Sequence, residues 1–382
     1  MTRARLSILF LAGDPSGDQH AAPVIRRLRR AVTELNAFGL GGPRMVQEGF
    51  SPHFPFEEFN RMGFADVIGN LRFFLRARRQ ILSSLRTRPP DAVVCVDYAS
   101  FNMPIMKAAS RLGIPVIWYI APKVWVWKKY RARVVGTHAS AIATILPFEP
   151  AWFQGYSARV SYVGNPLVEA AGARVDHVRR VKQAFSGARP WRIALVPGSR
   201  RQEIAAMLEP MIEAAASIRD RGVALEARVS RYRQIDQEVY EPATRHAGVT
   251  LDSGPLPALY AWADCALITS GTATLEAAIA QTPFVLAYRT HPLNWIIGNM
   301  LVRLSHIGLP NIIAGREIIP ELLQNQATGE RLAEELLRFM RSMDQYAGIV
   351  GELRSVRESL GSAVPSAEVA KMILGAIERG EQ

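Results

Sequence analysis

Four short segments gather residue types that bind or move charge, and each lies where an apolar run stops. Gly13-Asp14-Pro15-Ser16-Gly17-Asp18 follows Leu6–Ala12; its small residues let backbone amides approach a ligand, and the helical segment after it favours an anion at its start. The same residues also read as a tight turn with Asp or Ser as helix cap. Asp97 follows Ala92–Val96, where a carboxylate suits a general base or, equally, a turn cap. Pro197-Gly198-Ser199-Arg200-Arg201 follows Arg192–Val196: Gly198 and Ser199 offer close amides, and the Arg200 guanidinium can fork onto a diphosphate. The plainer alternative is a turn with a solvated Arg pair. Ser270-Gly271-Thr272-Ala273-Thr274-Leu275-Glu276 opens a helix after a strand and is the most specific of the four. Its amides point at whatever lies above, and Glu276, one turn in, can accept both hydroxyls of a ribose. Otherwise it is a Ser/Thr-capped helix with an exposed Glu.

These segments need a scaffold that brings strand ends together. Leu6–Ala12, Ala92–Val96, Pro115–Ile120 and Ala141–Leu146 are short apolar runs separated by helical segments; the pattern restarts with Arg192–Val196, Ala224–Val229, Ala266–Ile268 and Phe284–Ala287. Continuous apolar strands alternating with helices predict parallel sheets covered on both faces, here in an α/β chain of two Rossmann-like domains. Such sheets bind ligands beyond the carboxyl ends of their strands. The 382 residues divide into an N-terminal domain over 1–170, a second over 171–345 and a helical tail over 346–382, with the linker near 170–190. Cys95 and Cys265 sit inside apolar runs and read as core residues, which favours a reducing compartment. No disulfide or metal-ligand spacing is present.

The net charge of +12 draws polyanions: nucleic acid, anionic lipid or phosphorylated substrates. Between Arg61 and Pro90 lie seven Arg and one acid, Asp66, so this stretch carries half of that charge. Phe64, Leu71, Phe74 and Leu75 recur at helical spacing among Arg72, Arg76 and Arg79, a pattern that suits an anionic membrane surface. A packed helix with solvated arginines has the same pattern. Trp295–Leu304 is a second amphipathic candidate. No apolar run is long enough to span a bilayer, and no nucleic-acid motif is recognised.

The four segments, with Gly42-Pro43-Arg44-Met45, Arg61-Met62-Gly63, Pro122-Lys123-Val124-Trp125-Val126-Trp127, Leu146-Pro147-Phe148-Glu149, Val163-Gly164-Asn165-Pro166, Leu309-Pro310-Asn311 and Ala314-Gly315-Arg316-Glu317, resemble the lipid-A-disaccharide synthase family in order and spacing. The resemblance implies a GT-B fold, two Rossmann-like domains facing across a cleft. It implies an inverting transfer, without metal or cofactor, from a UDP-diacylglucosamine donor to a diacylglucosamine 1-phosphate acceptor through a β-1,6 bond, at the cytoplasmic face of an inner membrane. Carried over by position, Asp97 is the base, Arg200 the arginine at the diphosphate, Glu276 and Asn311 UDP contacts, and Ser16 part of the acceptor-side loop. The resemblance also suggests a homodimer, with the C-terminal tail packing on the N-terminal domain or exchanged between copies. The family usually has Glu at Asp14 and often a second Asp at Ser100. Another GT-B enzyme with a different lipid acceptor, a UDP-N-acetylglucosamine 2-epimerase and a non-catalytic UDP-sugar binder are the alternatives.

Overall fold

A computed structural model describes residues 5–60, 71–171, 175–291, 295 and 305–380. The chain forms two compact units, Met1–Glu169 with Ser362–Gln382, and Ala170–Gly361. The first holds seven parallel strands: β1 Arg5–Ala12, β2 Glu34–Leu40, β3 Ser51–Pro52, β4 Ala92–Val96, β5 Val116–Tyr119, β6 Ala141–Thr144 and β7 Arg159–Tyr162. Their order is β3-β2-β1-β4-β5-β6-β7. The second holds six: β8 Trp191–Val196, β9 Leu225–Ser230, β10 Val249–Asp252, β11 Cys265–Thr269, β12 Phe284–Tyr288 and β13 Glu321–Leu323, in the order β10-β9-β8-β11-β12-β13. In each sheet the strand order reverses once, between β1 and β4 and between β8 and β11. A crevice opens at such a point, because successive helices leave on opposite faces.

Alternation along β1 divides the first core. Ile8 and Phe10 face the helices Pro15–Ala31 and Pro365–Arg379, whereas Leu9 and Leu11 face the helices Leu71–Thr87, Ala99–Arg111 and Tyr130–His138. Every residue of β4 is buried, as a central strand covered on both faces requires. Cys95 and Cys265 are buried and unpaired.

The C-terminal tail divides. The helix Met343–Ser359 packs into the second unit, and Pro365–Arg379 lies on the first. Glu169 fixes the latter: its carboxylate accepts the Ser366 amide at 3.0 Å and the Ser366 hydroxyl. The apolar face of the last helix packs over β4, β5 and β6 of the first sheet, and a boundary at residue 346 cuts through the helix Met343–Ser359, whose Tyr346 and Val350 belong to the second unit's core.

In the second unit a fully buried carboxylate ties the entering chain to the sheet. Asp264 takes both terminal nitrogens of Arg189 at 2.6 and 2.7 Å, the Arg192 amide at 2.9 Å, and lies 3.4 Å from Arg180 Nε. Removing one member of a buried charge group leaves the others unpaired. Asp264→Ala is therefore expected to destabilise the protein by about 3–5 kcal/mol in chemical denaturation. A loss below about 1 kcal/mol would mean that water replaces the carboxylate.

Candidate functional site

In the first unit the two loops at the reversal point hold each other. Asp97 and Tyr98, directly after β4, both adopt left-handed backbone conformations, with φ of 43° and 46°. For non-glycine residues this costs about 1–3 kcal/mol each. Asn102, fully buried on the next helix, offsets the strain: its amide nitrogen donates to the carbonyls of Asp97 at 2.9 Å and Leu11 at 3.1 Å. The turn is thus tied to both central strands. Tyr98 lies over Gly13, where an added Cβ would sit 2.6 Å from the ring, so Gly13 must be small to let the loops meet.

Asp14 caps the following helix, accepting the Gly17 amide at 2.8 Å and the Ser16 hydroxyl at 2.6 Å. Gly17 is buried, and a Cβ there would meet the Asp14 carboxylate at 2.7 Å. Gly17 therefore serves the cap rather than ligand approach, while Ser16 is exposed. Asp18 is buried and accepts three amides, those of Gly42, Arg44 and Met45. Partial burial, helped by the Asp14 charge, pushes the Asp97 carboxyl up to about 6; Lys123 and Arg131 pull weakly the other way. Arg131 donates to Ser100 Oγ at 3.1 Å, so Ser100 keeps a hydrogen bond while adding no charge. A carboxylate held near neutrality is suited to taking a proton. Asn102, Tyr98 and Arg131 were not singled out by sequence reasoning, and Lys123 entered only as part of the Pro122–Trp127 stretch.

In the second unit the loops after β8 and β11 flank the reversal point. Gly198 has φ of 123°, and a Cβ there would lie 2.7 Å from Glu203. The Glu203 carboxylate accepts the amides of Ser199 at 3.1 Å and Arg200 at 3.3 Å, and pairs with the Arg200 side chain at 3.1 Å. The amides expected to meet a diphosphate thus already hold an anion, leaving Ser199 in a capping turn. The Arg200 side chain is 79% exposed, and so solvated a pair holds it weakly. The Gly-Ser-Arg-x-x-Glu spacing, a capping-box pattern, was the signal for Glu203.

The helix Thr272–Ala280 starts differently. Gly271 caps it with φ of 153°, and among the described residues nothing lies within 4 Å of where its Cβ would be and no cap side chain bonds its first amides. Gly271 and Thr272 are exposed, and Ser270 donates to the Ile307 carbonyl at 3.4 Å. Burial pushes the Glu276 carboxyl up to about 7, and among the described residues it has no hydrogen-bond or ion-pair partner. An unpartnered, half-buried carboxylate one turn behind an open helix start suits a ligand that brings an anion and hydroxyls together.

Asn311 takes a different place from the one expected. It is fully buried; its amide nitrogen donates to the Ile319 carbonyl and Glu321, and its oxygen accepts the amides of Ile318 and Ile319. Its side-chain hydrogen bonds are all made inside the protein and order the loop 308–321. Glu321 completes that loop by accepting the amides of Ile307 and Gly308.

The expected membrane residues separate by face. Arg72, Arg76 and Arg79 are exposed. Phe74 is half-buried and packs edge-on against Phe59 at 5.2 Å, so it belongs to the core's margin. Leu75 is half-buried. Phe64, the Leu71 side chain and Trp295–Leu304 apart from Trp295 lie outside the described residues. Among the described residues no group of three or more His, Cys, Asp or Glu could hold a metal.

The family model for lipid-A-disaccharide synthetase matches residues 8–367. The chain is 35% identical to the lipid-A-disaccharide synthase of Anaeromyxobacter dehalogenans (strain 2CP-C) over 371 residues, 96% of this chain and 97% of that one. In fold it is similar to the calicheamicin glycosyltransferase CalG4, with a TM-score of 0.62 at 15% identity over 98% and 99% of the two chains. It is also similar to the UDP-GlcNAc 2-epimerase of Neisseria meningitidis bound to UDP-GlcNAc, with a TM-score of 0.57 at 12% identity over 98% and 100%.

Asp97→Asn separates activity from stability. Turnover is expected to fall by about 10²–10⁴, with UDP affinity unchanged. The wild-type kcat/KM should decline as pH drops through about 6, because the protonated carboxyl cannot accept a proton. A folded-state pKa above the ordinary value means that stability falls as pH rises from about 4 to about 6 and stays lowered above that. At neutral pH the Asn variant should therefore be more stable, by on the order of 1–3 kcal/mol. More than about a tenth of wild-type kcat in the variant would remove Asp97 from the base role.

Proposed function

The chain belongs to the lipid-A-disaccharide synthase family and is a glycosyltransferase, and from that premise we propose that it joins UDP-2,3-diacylglucosamine to 2,3-diacylglucosamine 1-phosphate through a β-1,6 bond. The observation that carries this reading is a desolvated carboxylate, its proton affinity raised, at one sheet's reversal point in a chain whose other sheet offers an open helix start, an exposed and weakly paired arginine and a Glu276 without a partner among the described residues. Asp97 takes the proton from the acceptor's 6-hydroxyl as that oxygen attacks the donor's anomeric carbon. The new bond forms opposite the departing group, so the configuration inverts. The bond from the anomeric carbon to the phosphate oxygen breaks, and its electron pair leaves with UDP.

Arg200 and the open amides at Gly271 and Thr272 receive the charge that accumulates on that diphosphate, where fixed dipoles act most strongly. Arg200 must leave Glu203 to do so, an exchange of one exposed ion pair for a stronger bidentate one. Glu276 accepts the ribose hydroxyls. Both substrates carry acyl chains, which supports a reaction at an anionic inner-membrane surface, with the exposed Arg72, Arg76 and Arg79 toward the headgroups. Among the described residues no helix is long and apolar enough to cross a membrane. The likeness to epimerases is one of fold.

Purified protein given both substrates is expected to yield, by mass spectrometry, the tetra-acylated disaccharide 1-phosphate and free UDP, with or without EDTA. No disaccharide, or loss on chelation restored by magnesium or manganese, defeats the reading.

Arg200→Ala is expected to lose more activity than Arg200→Lys, with both impaired, because an ammonium cannot fork onto two oxygens. Wild-type kcat/KM in both variants would show that the diphosphate is held elsewhere.

A further inference from the structure

The first unit carries an exposed aromatic and basic surface that the reaction does not use. Among the described residues eight large apolar side chains stand out as exposed, and four of them belong to one short region: Trp127 at 44%, Tyr130 at 59%, Trp152 at 37% and Tyr156 at 38%. The turn that follows β5 puts them there. Trp125 points inward, donating to Glu149 at 3.2 Å, while Trp127, two residues later, points out. Lys128 then adopts φ of 51°, and the helix Tyr130–His138 begins. Tyr156 closes the region by lying on Gly136, where a Cβ would meet it at 2.6 Å.

Cations surround these rings. Lys128 Nζ lies 4.1 Å over Trp127 and Lys129 Nζ 5.5 Å over Trp152. From residue 98 to residue 148 there are seven Lys or Arg and no acid. The next acid, Glu149, is buried and held by Trp125 and the amides of Ile145 and Leu146, so it offers nothing to the surface. This surface is complementary to anions and has apolar rings among its charges.

We propose that Trp127, Tyr130, Trp152 and Tyr156, with Lys128 and Lys129, form a bilayer-docking surface selective for anionic phospholipid, separate from the arginine face of the helix Leu71–Thr87. Tryptophan and tyrosine settle where apolar chains meet polar headgroups, and each nearby cation adds attraction to an anionic leaflet. Stacked single-stranded nucleic acid is disfavoured because Lys128 and Lys129 already cover faces of the two indoles that bases would need. The Trp127 part of this surface shares an end of the first sheet with Asp97: the two follow carboxyl ends of the neighbouring strands β5 and β4, and Arg131 reaches Ser100 at 3.1 Å, while Tyr156 lies further along the helix Tyr130–His138, beside Gly136. Taking the proposed lipid reaction as given, a substrate could offer its hydroxyl to Asp97 while its chains stay in the leaflet.

The test is sedimentation of the full chain with vesicles of phosphatidylcholine, with and without phosphatidylglycerol, together with quenching of tryptophan fluorescence by acyl-chain-brominated lipid. Wild type should bind and be quenched only when phosphatidylglycerol is present. Lys128→Glu with Lys129→Glu should lower the partition coefficient roughly tenfold or more, with circular dichroism unchanged. The milder Lys128→Ser with Lys129→Ser should lower it severalfold, and it decides the matter if the first variant misfolds. Trp127→Phe with Trp152→Phe should remove most of the quenching. A variant with Arg72, Arg76 and Arg79 changed to Glu should keep measurable, phosphatidylglycerol-dependent quenching. Unchanged partition in the folded lysine variants, or tighter binding to oligothymidylate than to vesicles, overturns the proposal. Disaccharide formation from short-chain soluble substrates reports separately on the reaction, so failure of docking and failure of the function are distinguishable.

Discussion

A carboxylate cannot be taken out of water cheaply, yet a base for a sugar hydroxyl must lose some hydration to become a base near neutrality. The structure of the first unit is organised around that conflict. Asp97 is half-buried and in the field of Asp14, and both raise its proton affinity. Its own side chain contributes one hydrogen bond, accepted from the Tyr98 amide. The holding is done by backbone: two successive left-handed residues, the Asn102 amide across three strand-end carbonyls, and Tyr98 lying on Gly13. Strain at this turn persists because the surrounding contacts over-determine it. Gly13, Asn102 and Tyr98 therefore matter to the proposed base as much as the carboxylate they position.

The second unit meets the opposite demand, a place for negative charge that arrives with a ligand. Two helix starts flank the reversal point, and they are treated differently. The one after β8 is occupied by Glu203, which keeps the turn folded and holds Arg200 loosely. The one after β11 is left open among the described residues, with Gly271 exposed and Glu276 unpartnered there. A single open helix start gives an anion one best place, and the weak Arg200–Glu203 pair leaves the guanidinium available. Asn311 and Glu321 act a layer further out, fixing the loop whose Ile307 carbonyl receives Ser270.

The central strands were legible in the sequence because burial on both faces demands continuous apolar runs: Ala92–Val96 and Cys265–Thr269 have no exposed residue. The edges were not. β2 alternates exposed and buried residues, β3 has two residues and β7 has none fully buried, so none carries the uninterrupted run that marks a central strand. Strand ends were the right places to look for chemistry, and the reversals of strand order lie beside all four segments. What sequence could not give was occupancy. Whether an amide is free for a ligand or already taken by Glu203, and whether Asn311 faces a nucleotide or its own loop, depends on residues several positions away folding back. Gly17 shows the same ambiguity: a small residue beside a helix start looks like room for a ligand, but that room is filled by Asp14.

Amphipathic periodicity has a related limit. The helix Leu71–Thr87 has a clear apolar stripe, and a stripe says only that one face leaves water. Ala77, Ile81 and Leu85 bury theirs against the first sheet, and Phe73 and Phe74 join Phe59 and Phe101 at the core's margin. The outward face is left with arginines, which can attract anionic headgroups but have few apolar groups to insert. Among the described residues of the first unit the aromatic residues that do stay exposed lie on turns and short helices, at Trp127, Tyr130, Trp152 and Tyr156, where no period would reveal them. In a chain whose helices use their apolar faces to cover sheets, exposed rings are left to the connections. Trp127 follows β5 at the sheet end where Asp97 follows β4, so the proposed docking surface and the proposed base meet at one end for a topological reason.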